Sequence, residues 1–426
     1  QNEAHGELCR EGDGLFHALC VAGGNGDWSS ATSWKDGRVP GRGDDVWIRD
    51  VELSVSGPIA VKSLRICGKA KVSFSAVPMK EIASTPENLY ANATVIRVGD
   101  CMTVEDFAVV TVENDLKTGA AVKFEGGTFR QEYWYPLDGC VQRHIYVRNG
   151  ATYHVVSQHL SDITLHIAGT GVDGAGALVV GSGATAQTGC GLILDGDAKV
   201  TLDLSGSGIS SRGSHPATGH NWCLMPVGVL DLNGHDLTIG GAGANVKFEY
   251  LNITNSVSGV NTITVNGIFG ATPRTVAFST SVSVADNVSF AFPDDMTLDM
   301  GGDFAILPSA IKTDGNLTVT GSSGTAKVLG GVISGSGAVT YGTASSKMGG
   351  SLTLCARNTY AGTTTLNGGS GFELRANYAD SVPGYPAKLT VNSGAFAACP
   401  GFDGQGNARW SVDEMLTLIR DTQITA

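Results

Sequence analysis

The chain has 426 residues, 42% hydrophobic and 16% charged, which supplies ample apolar material for a core and excludes a disordered polymer. Gly contributes 59 residues beside only 13 Pro and keeps no period of three, which excludes collagen and Pro/Gly low complexity. The formal net charge is −12 and the basic residues are scattered, so nucleic acid is not an expected partner.

The chain opens on Gln1 without a basic and then apolar leader, as a mature terminus does. Residues 1–50 read as an amino-terminal segment bearing Cys9 and Cys20 and ending in a cap, with Trp28, Trp34 and Trp47 packed into a short stretch. A cap is needed because an uncovered first coil is an unpaired sheet edge.

Residues 51–400 carry one short alternating segment after another. Val51-Glu-Leu-Ser-Val, Lys71-Val-Ser-Phe-Ser, Ala108-Val-Val-Thr-Val, Lys199-Val-Thr-Leu-Asp-Leu, Met296-Thr-Leu-Asp-Met and Asn316-Leu-Thr-Val-Thr each place alternate residues on opposite faces of a strand. Gly disfavours helix by about 1 kcal/mol per interior residue relative to Ala and marks the turns between these strands. The pattern apolar-x-apolar, turn, apolar-x-apolar recurs at 228–241, 296–306 and 314–324. Self-similarity of this kind predicts a β-solenoid with coils of about 22 residues rather than paired sandwich domains. Gly is expected at corners that need a positive φ. Residues 401–426 read as an amphipathic helix: Ser411 and Glu414 form a capping box, and Val412, Met415, Leu416 and Ile419 share a face. The stop at Ala426 without a polar closing segment predicts continuation in a longer protein.

Nine Cys fall in no metal-type cluster. The pairs Cys9 and Cys20, Cys67 and Cys101, and Cys355 and Cys399 are spaced like loop-closing bridges and favour an oxidising, extracellular compartment, with Cys190 or Cys223 as the odd thiol. No apolar run reaches the roughly 18 residues of a membrane span.

The stretch Gly349-Gly-Ser-Leu-Thr-Leu-Cys-Ala-Arg-Asn-Thr-Tyr-Ala-Gly-Thr-Thr-Thr-Leu-Asn-Gly resembles the passenger-associated repeat of bacterial autotransporter-type surface proteins, with Asn358-Thr-Tyr as its specific part. Gly171-Val-Asp-Gly-Ala-Gly-Ala-Leu and Leu230-Asp-Leu-Asn-Gly-His-Asp-Leu are similar to segments upstream of that repeat, and the Trp/Val-Pro/Gly-Asp-Asp-Val stretch at 28–46 resembles the cap of secreted β-helix proteins. The resemblance implies a right-handed parallel β-helix exported to the cell surface or beyond. Cys355 and Ala356 depart from the repeat, which has Ser or Thr and Gly there. No run of amphipathic ten-residue strands suggests a translocator barrel within the chain.

Chemistry-bearing groups are sparse. The motifs of polygalacturonase-type and pectate-lyase-type sites are incomplete, so no catalytic residue is assigned. Asp294, Asp295, Asp299 and Asp303, or Asp195, Asp197 and Asp203, are the carboxylate sets that a glycan-active enzyme would use, and solvated corners are the ordinary reading of both. His154 with His159, or His215 and His220 beside Trp222, lack a third metal ligand, so no metal or cofactor is expected; the second pair lies in a polar loop at 210–223, a candidate loop site. Tyr133, Trp134 and Tyr135 are adjacent, so all three rings cannot point inward together, and they form the candidate contact for glycans or protein partners. The expected function is that of a secreted or cell-surface structural and adhesive β-helix protein, an adhesin, spacer or self-associating filament. The alternatives are a glycan-active lyase or hydrolase and a tailspike-like receptor binder.

Overall fold

The computed structural model describes residues 15–17, 26–75, 94–104, 109–113, 120–131, 143–155, 159–160, 163–180, 185–186, 190–202, 228–241, 245–248, 251–266, 268–269, 272–278, 282–301, 304–321, 326–356, 358–377, 389–399 and 423–424. It is an all-β parallel solenoid. The helical elements among these residues are two single 3-10 turns, Ala31–Ser33 and Val172–Gly174. The expected helix at 401–426 lies outside the described residues, except that Gln423–Ile424 pair in parallel with Thr390 and Val391. The chain divides into two units, residues 1–203 with 207–218, and residues 204–206 with 219–426.

In the first unit Asp45–Arg49 pairs in parallel with Ser63–Cys67, whose Leu64 lies opposite Met102 of Thr94–Val104. That strand in turn runs beside Ala120–Gln131, with a register shift between Gly126 and Thr128. The shift bends the long strand around a corner, so its first half pairs with Arg143–Arg148 and its second with Thr152–Val155. The same device recurs at Cys190–Leu202, which receives Ile163–Gly169 and Leu178–Val180. A second face stacks Gly26–Asp27, Glu52–Val55, Lys71–Ser75 and Val109–Glu113. Alternation puts Val46, Ile48, Leu53, Val55, Leu64 and Ile66 in the core, all at most 3% exposed.

The three tryptophans of the amino-terminal stretch are buried. Trp28 and Trp34 meet edge to face with centroids 4.9 Å apart, and the Trp34 indole N–H donates to the Trp28 carbonyl at 2.8 Å. The Gly-Asp-Asp-Val run has a structural purpose. Asp44 accepts both guanidinium nitrogens of Arg38 at 2.9 and 2.8 Å and the Gly41 N–H at 2.7 Å, closing the loop between them. Asp45 accepts from Ser63 Oγ and Lys62 Nζ of the next coil.

The second unit is three-faced. One face stacks Thr272–Phe278, Met296–Asp299, Leu317–Thr320, Val339–Tyr341, Thr364–Asn367 and Leu389–Ser393. A second runs from Leu237–Gly240 through Asn261–Val265 and Val288–Phe292 to Ile311–Thr313 and Ile333–Ser334. The third stacks Ile306–Leu307, Lys327–Leu329, Ser351–Leu354, Glu373–Asn377 and Ala395–Cys399. Met296 lies opposite Leu317 and Leu317 opposite Val339, so successive coils here are nearly equal in length. Aromatic rings stack inside: Phe248 on Phe278 at 5.3 Å and Phe278 on Phe304 at 4.8 Å, with Phe290 edge-on to Phe278 at 5.5 Å.

The corners correct one expectation about Gly. Gly315, Gly337 and Gly362 occupy successive rungs of one corner, and a Cβ on Gly337 would stand 1.7 Å from the Gly315 carbonyl oxygen, while one on Gly362 would stand 2.3 Å from that of Gly337. These glycines serve close backbone approach between rungs. Positive φ is the requirement elsewhere, as at Gly171 (φ 72°), where a Cβ would also strike the Gly176 carbonyl.

Candidate functional site

Tyr133, Trp134 and Tyr135, and the loop with His215, His220 and Trp222, lie outside the described residues, as do Asp203 and Asp303. Of the remaining carboxylates of the first expected set, Asp295 and Asp299 each accept a backbone N–H: Asp295 Oδ1 that of Asn316 in the next rung at 2.7 Å, and Asp299 Oδ1 that of Gly301 at 3.2 Å. Asp231 does the same for the Asn233 and Ser256 N–H groups, and Asp236 for that of Thr262. Each carboxylate satisfies backbone donors that the corners leave without strand partners.

Asn255 extends this corner network. It accepts the Gly234 N–H through Oδ1, and its Nδ2 donates to the Gly259 carbonyl and Asn261 Oδ1, both at 3.0 Å; Asn287 Nδ2 donates in turn to the Asn255 carbonyl. The upstream segment at 171–178 is tied down similarly: Thr152 Oγ1 accepts the Val172 N–H and donates to the Gly176 carbonyl. At the repeat itself, Asn358 Oδ1 accepts the buried Ile333 N–H at 2.8 Å, and the buried Tyr360 hydroxyl lies 2.5 Å from Thr364 Oγ1. Burial pushes the Tyr360 phenol up to about 12 against the opposing effect of its hydrogen bonds with Thr364 and Tyr341.

A titratable cluster in the first unit is not readable from local spacing. Tyr146, His166 and Ile193 are register partners on adjacent strands. The Tyr146 and His166 rings stack with centroids 4.2 Å apart, and both residues are buried although Val147, Leu165 and Ile167 beside them are buried as well. Asp195 Oδ2 accepts from Arg148 Nε at 3.1 Å and from Arg148 Nη2, and lies 3.5 Å from His166 Nδ1. The Arg148 guanidinium also stands 5.4 Å from the Tyr146 ring centroid. Burial raises the Asp195 carboxyl, but the His166 imidazole and the Arg148 guanidinium more than offset it and hold it below its ordinary value. The Asp195 side chain is 13% exposed and that of His166 3%, so the pair is locked into the wall of the solenoid with little room for a substrate atom. Among the described residues no group of three or more His, Cys, Asp or Glu is placed to hold a metal.

The register corrects two of the three cysteine pairings. Leu354, Ala376 and Ala398 form one ladder, and Asn377 lies opposite Cys399. Cys355 therefore stands two rungs from Cys399, roughly 9.6 Å between backbones, beyond the ~7 Å limit for a bridge. Cys355 is a free thiol. Thr103 lies opposite Arg65, so Cys101 falls level with Ser63, at the opposite end of that strand from Cys67. The separation is roughly 13 Å along the strand, again out of reach. Cys9 and Cys20 lie outside the described residues.

These features define the class: a parallel β-solenoid whose described polar side chains largely fasten one coil to the next. No protein-family model, curated protein or solved structure matches the chain. Among the described residues no helix is long and apolar enough to cross a membrane.

Proposed function

We propose that the chain is a structural and adhesive protein, secreted or displayed on the outer cell surface, whose solenoid spaces and presents its loops. The observation that carries this reading is the column Thr275, Thr297, Thr318, Thr340, Thr365 and Thr390, six consecutive rungs with one residue type on the outward side of a face. A scaffold repeats its surface chemistry from coil to coil, whereas a catalytic groove needs different groups converging at one place. The resemblance of the stretch around Asn358 and Tyr360 to passenger-associated repeats, which recur in exported solenoids, supports this reading.

Export no longer draws support from the Cys67 and Cys355 pairings. It rests on the repeat and on the cap, and it is tested directly by surface biotinylation and protease shaving of intact source cells. The chain is expected among the labelled, protease-sensitive proteins or in the medium. Recovery solely from the protected interior of unbroken cells overturns the reading. Solenoids also self-associate through their terminal coils, and filaments under negative-stain electron microscopy are the expected form of that contact.

A further inference from the structure

Five Asn-Gly steps occur in the sequence, and three of them, Asn149-Gly150, Asn233-Gly234 and Asn367-Gly368, lie wholly within the described residues. Gly has no side chain to shield its amide nitrogen, so that nitrogen can attack the side-chain carbonyl carbon of the Asn before it. The structure separates three steps that the sequence leaves identical.

Two of them adopt the same turn. Asn149 and Gly150 have φ of 54° and 80°, and Asn233 and Gly234 have φ of 47° and 83°, the pair of positive values that a type I′ turn requires. One backbone bond closes each turn: the Ala151 N–H donates to the Arg148 carbonyl at 3.1 Å, and the His235 N–H to that of Leu232 at 2.8 Å. The glycine amides differ. The Gly234 N–H donates to Asn255 Oδ1 of the next coil at 2.8 Å, and the Gly368 N–H to the Ser393 carbonyl at 2.8 Å. The Gly150 N–H has no acceptor among the described residues. Asn149 and Gly150 are both exposed, and a Cβ on Gly150 would meet nothing within 4 Å, whereas one on Gly234 would lie 3.4 Å from Val257 and one on Gly368 2.5 Å from the Phe372 ring.

We propose that Asn149 is a site of spontaneous deamidation, set apart from Asn233 and Asn367 by the unheld amide of Gly150. The Gly150 nitrogen gives up its proton to solvent and bonds to Asn149 Cγ; the Cγ–Nδ2 bond breaks, and the amide nitrogen takes a proton from solvent and leaves as ammonia. Water then opens the cyclic imide at one or other of its carbonyls, giving aspartate, or isoaspartate with an extra methylene in the main chain. Either product puts a carboxylate next to Arg148, whose guanidinium serves Asp195. At Gly234 and Gly368 the same attack must first break the hydrogen bond that holds the amide proton, which slows it by about tenfold. The inference does not depend on the adhesive reading.

The test incubates the full chain in mildly alkaline buffer and follows the three Asn-Gly peptides by mass mapping, with isoaspartate scored by an isoaspartyl methyltransferase. Asn149 should convert about tenfold faster than Asn233 and Asn367, and the three rates should converge in concentrated urea, where no turn survives. Asn255→Ala takes the acceptor from Gly234 and should raise the rate at Asn233; an unchanged rate at Asn367, whose glycine is held by Ser393 instead, certifies that the second unit is still folded. Where that variant fails to fold, the comparison within the parent chain decides. Native Asn149 reacting no faster than Asn233 and Asn367, the same order of rates persisting in urea, or a rate at Asn233 unmoved in folded Asn255→Ala overturns the proposal.

Discussion

Gly337 lies so close to Gly315 of the preceding rung that an added Cβ would come within 1.7 Å of the Gly315 carbonyl oxygen. The obstacle is backbone, which cannot rotate aside as a side chain would. Gly337→Ala should therefore destabilise the second unit by at least about 2 kcal/mol. Gly43→Ala, where nothing lies within 4 Å of the added carbon, should be close to neutral. Denaturant midpoints of the two variants check this, and equal midpoints would remove the close-approach account of the corner.

Asp195 makes the first unit sensitive to acid. Its folded carboxyl is held below its ordinary value, so the stability it contributes is complete above its unfolded value of about 3.9 and is lost as the pH falls through the lower folded one. Asp195→Asn should flatten the fall in melting temperature between neutral pH and pH about 3. Asp195→Ala should cost about 2 kcal/mol at neutral pH, between the exposed and fully buried limits, by leaving Arg148 with fewer partners.

Asn358 should matter for folding rather than for contact with a ligand. Asn358→Ala leaves the buried Ile333 N–H without its acceptor, at a cost of about 1–3 kcal/mol. The Tyr360 phenol, raised to about 12 by burial, contributes stability below its unfolded value of about 10 that is lost as the pH rises through the folded one. Tyr360→Phe should therefore lessen the alkaline loss of stability, read from melting temperature against pH.

Cys355 is a free, half-buried thiol whose pKa burial raises. Alkylation of the unfolded, unreduced chain followed by peptide mass mapping should find it labelled. A peptide joining Cys355 to Cys399 would contradict the register of the third face.

Much of the second unit was legible because its coils are regular. Met296, Leu317 and Val339 follow one another up a face at near-equal intervals, close to the coil length that strand-turn-strand repetition implies. The first unit hid its register because its coils are uneven: Asp45 pairs with the nearby Ser63, while Leu64 pairs with Met102, much farther along the chain. That unevenness is why Cys67 and Cys101 read as neighbours in the sequence, and why the sequence groups Asp195 with Asp197 rather than with Arg148 and His166. Corner carboxylates such as Asp295 resembled a catalytic set because sequence carries the acid but not the backbone N–H it accepts. Spacing along the chain becomes spatial proximity only once the length of every intervening coil is known.

The central claim is that the second unit is built of in-register parallel coils that repeat their outward chemistry. Spin labels attached at Thr275 and Thr390 by a non-cysteine chemistry, distant in sequence but only five rungs apart on the Thr column, test it through the distance between them. A narrow distribution centred at about 24 Å, broadened only by the label tethers, is expected. A broad distribution, or one centred well away from that distance, would contradict the stacked-coil architecture and the scaffold function drawn from it.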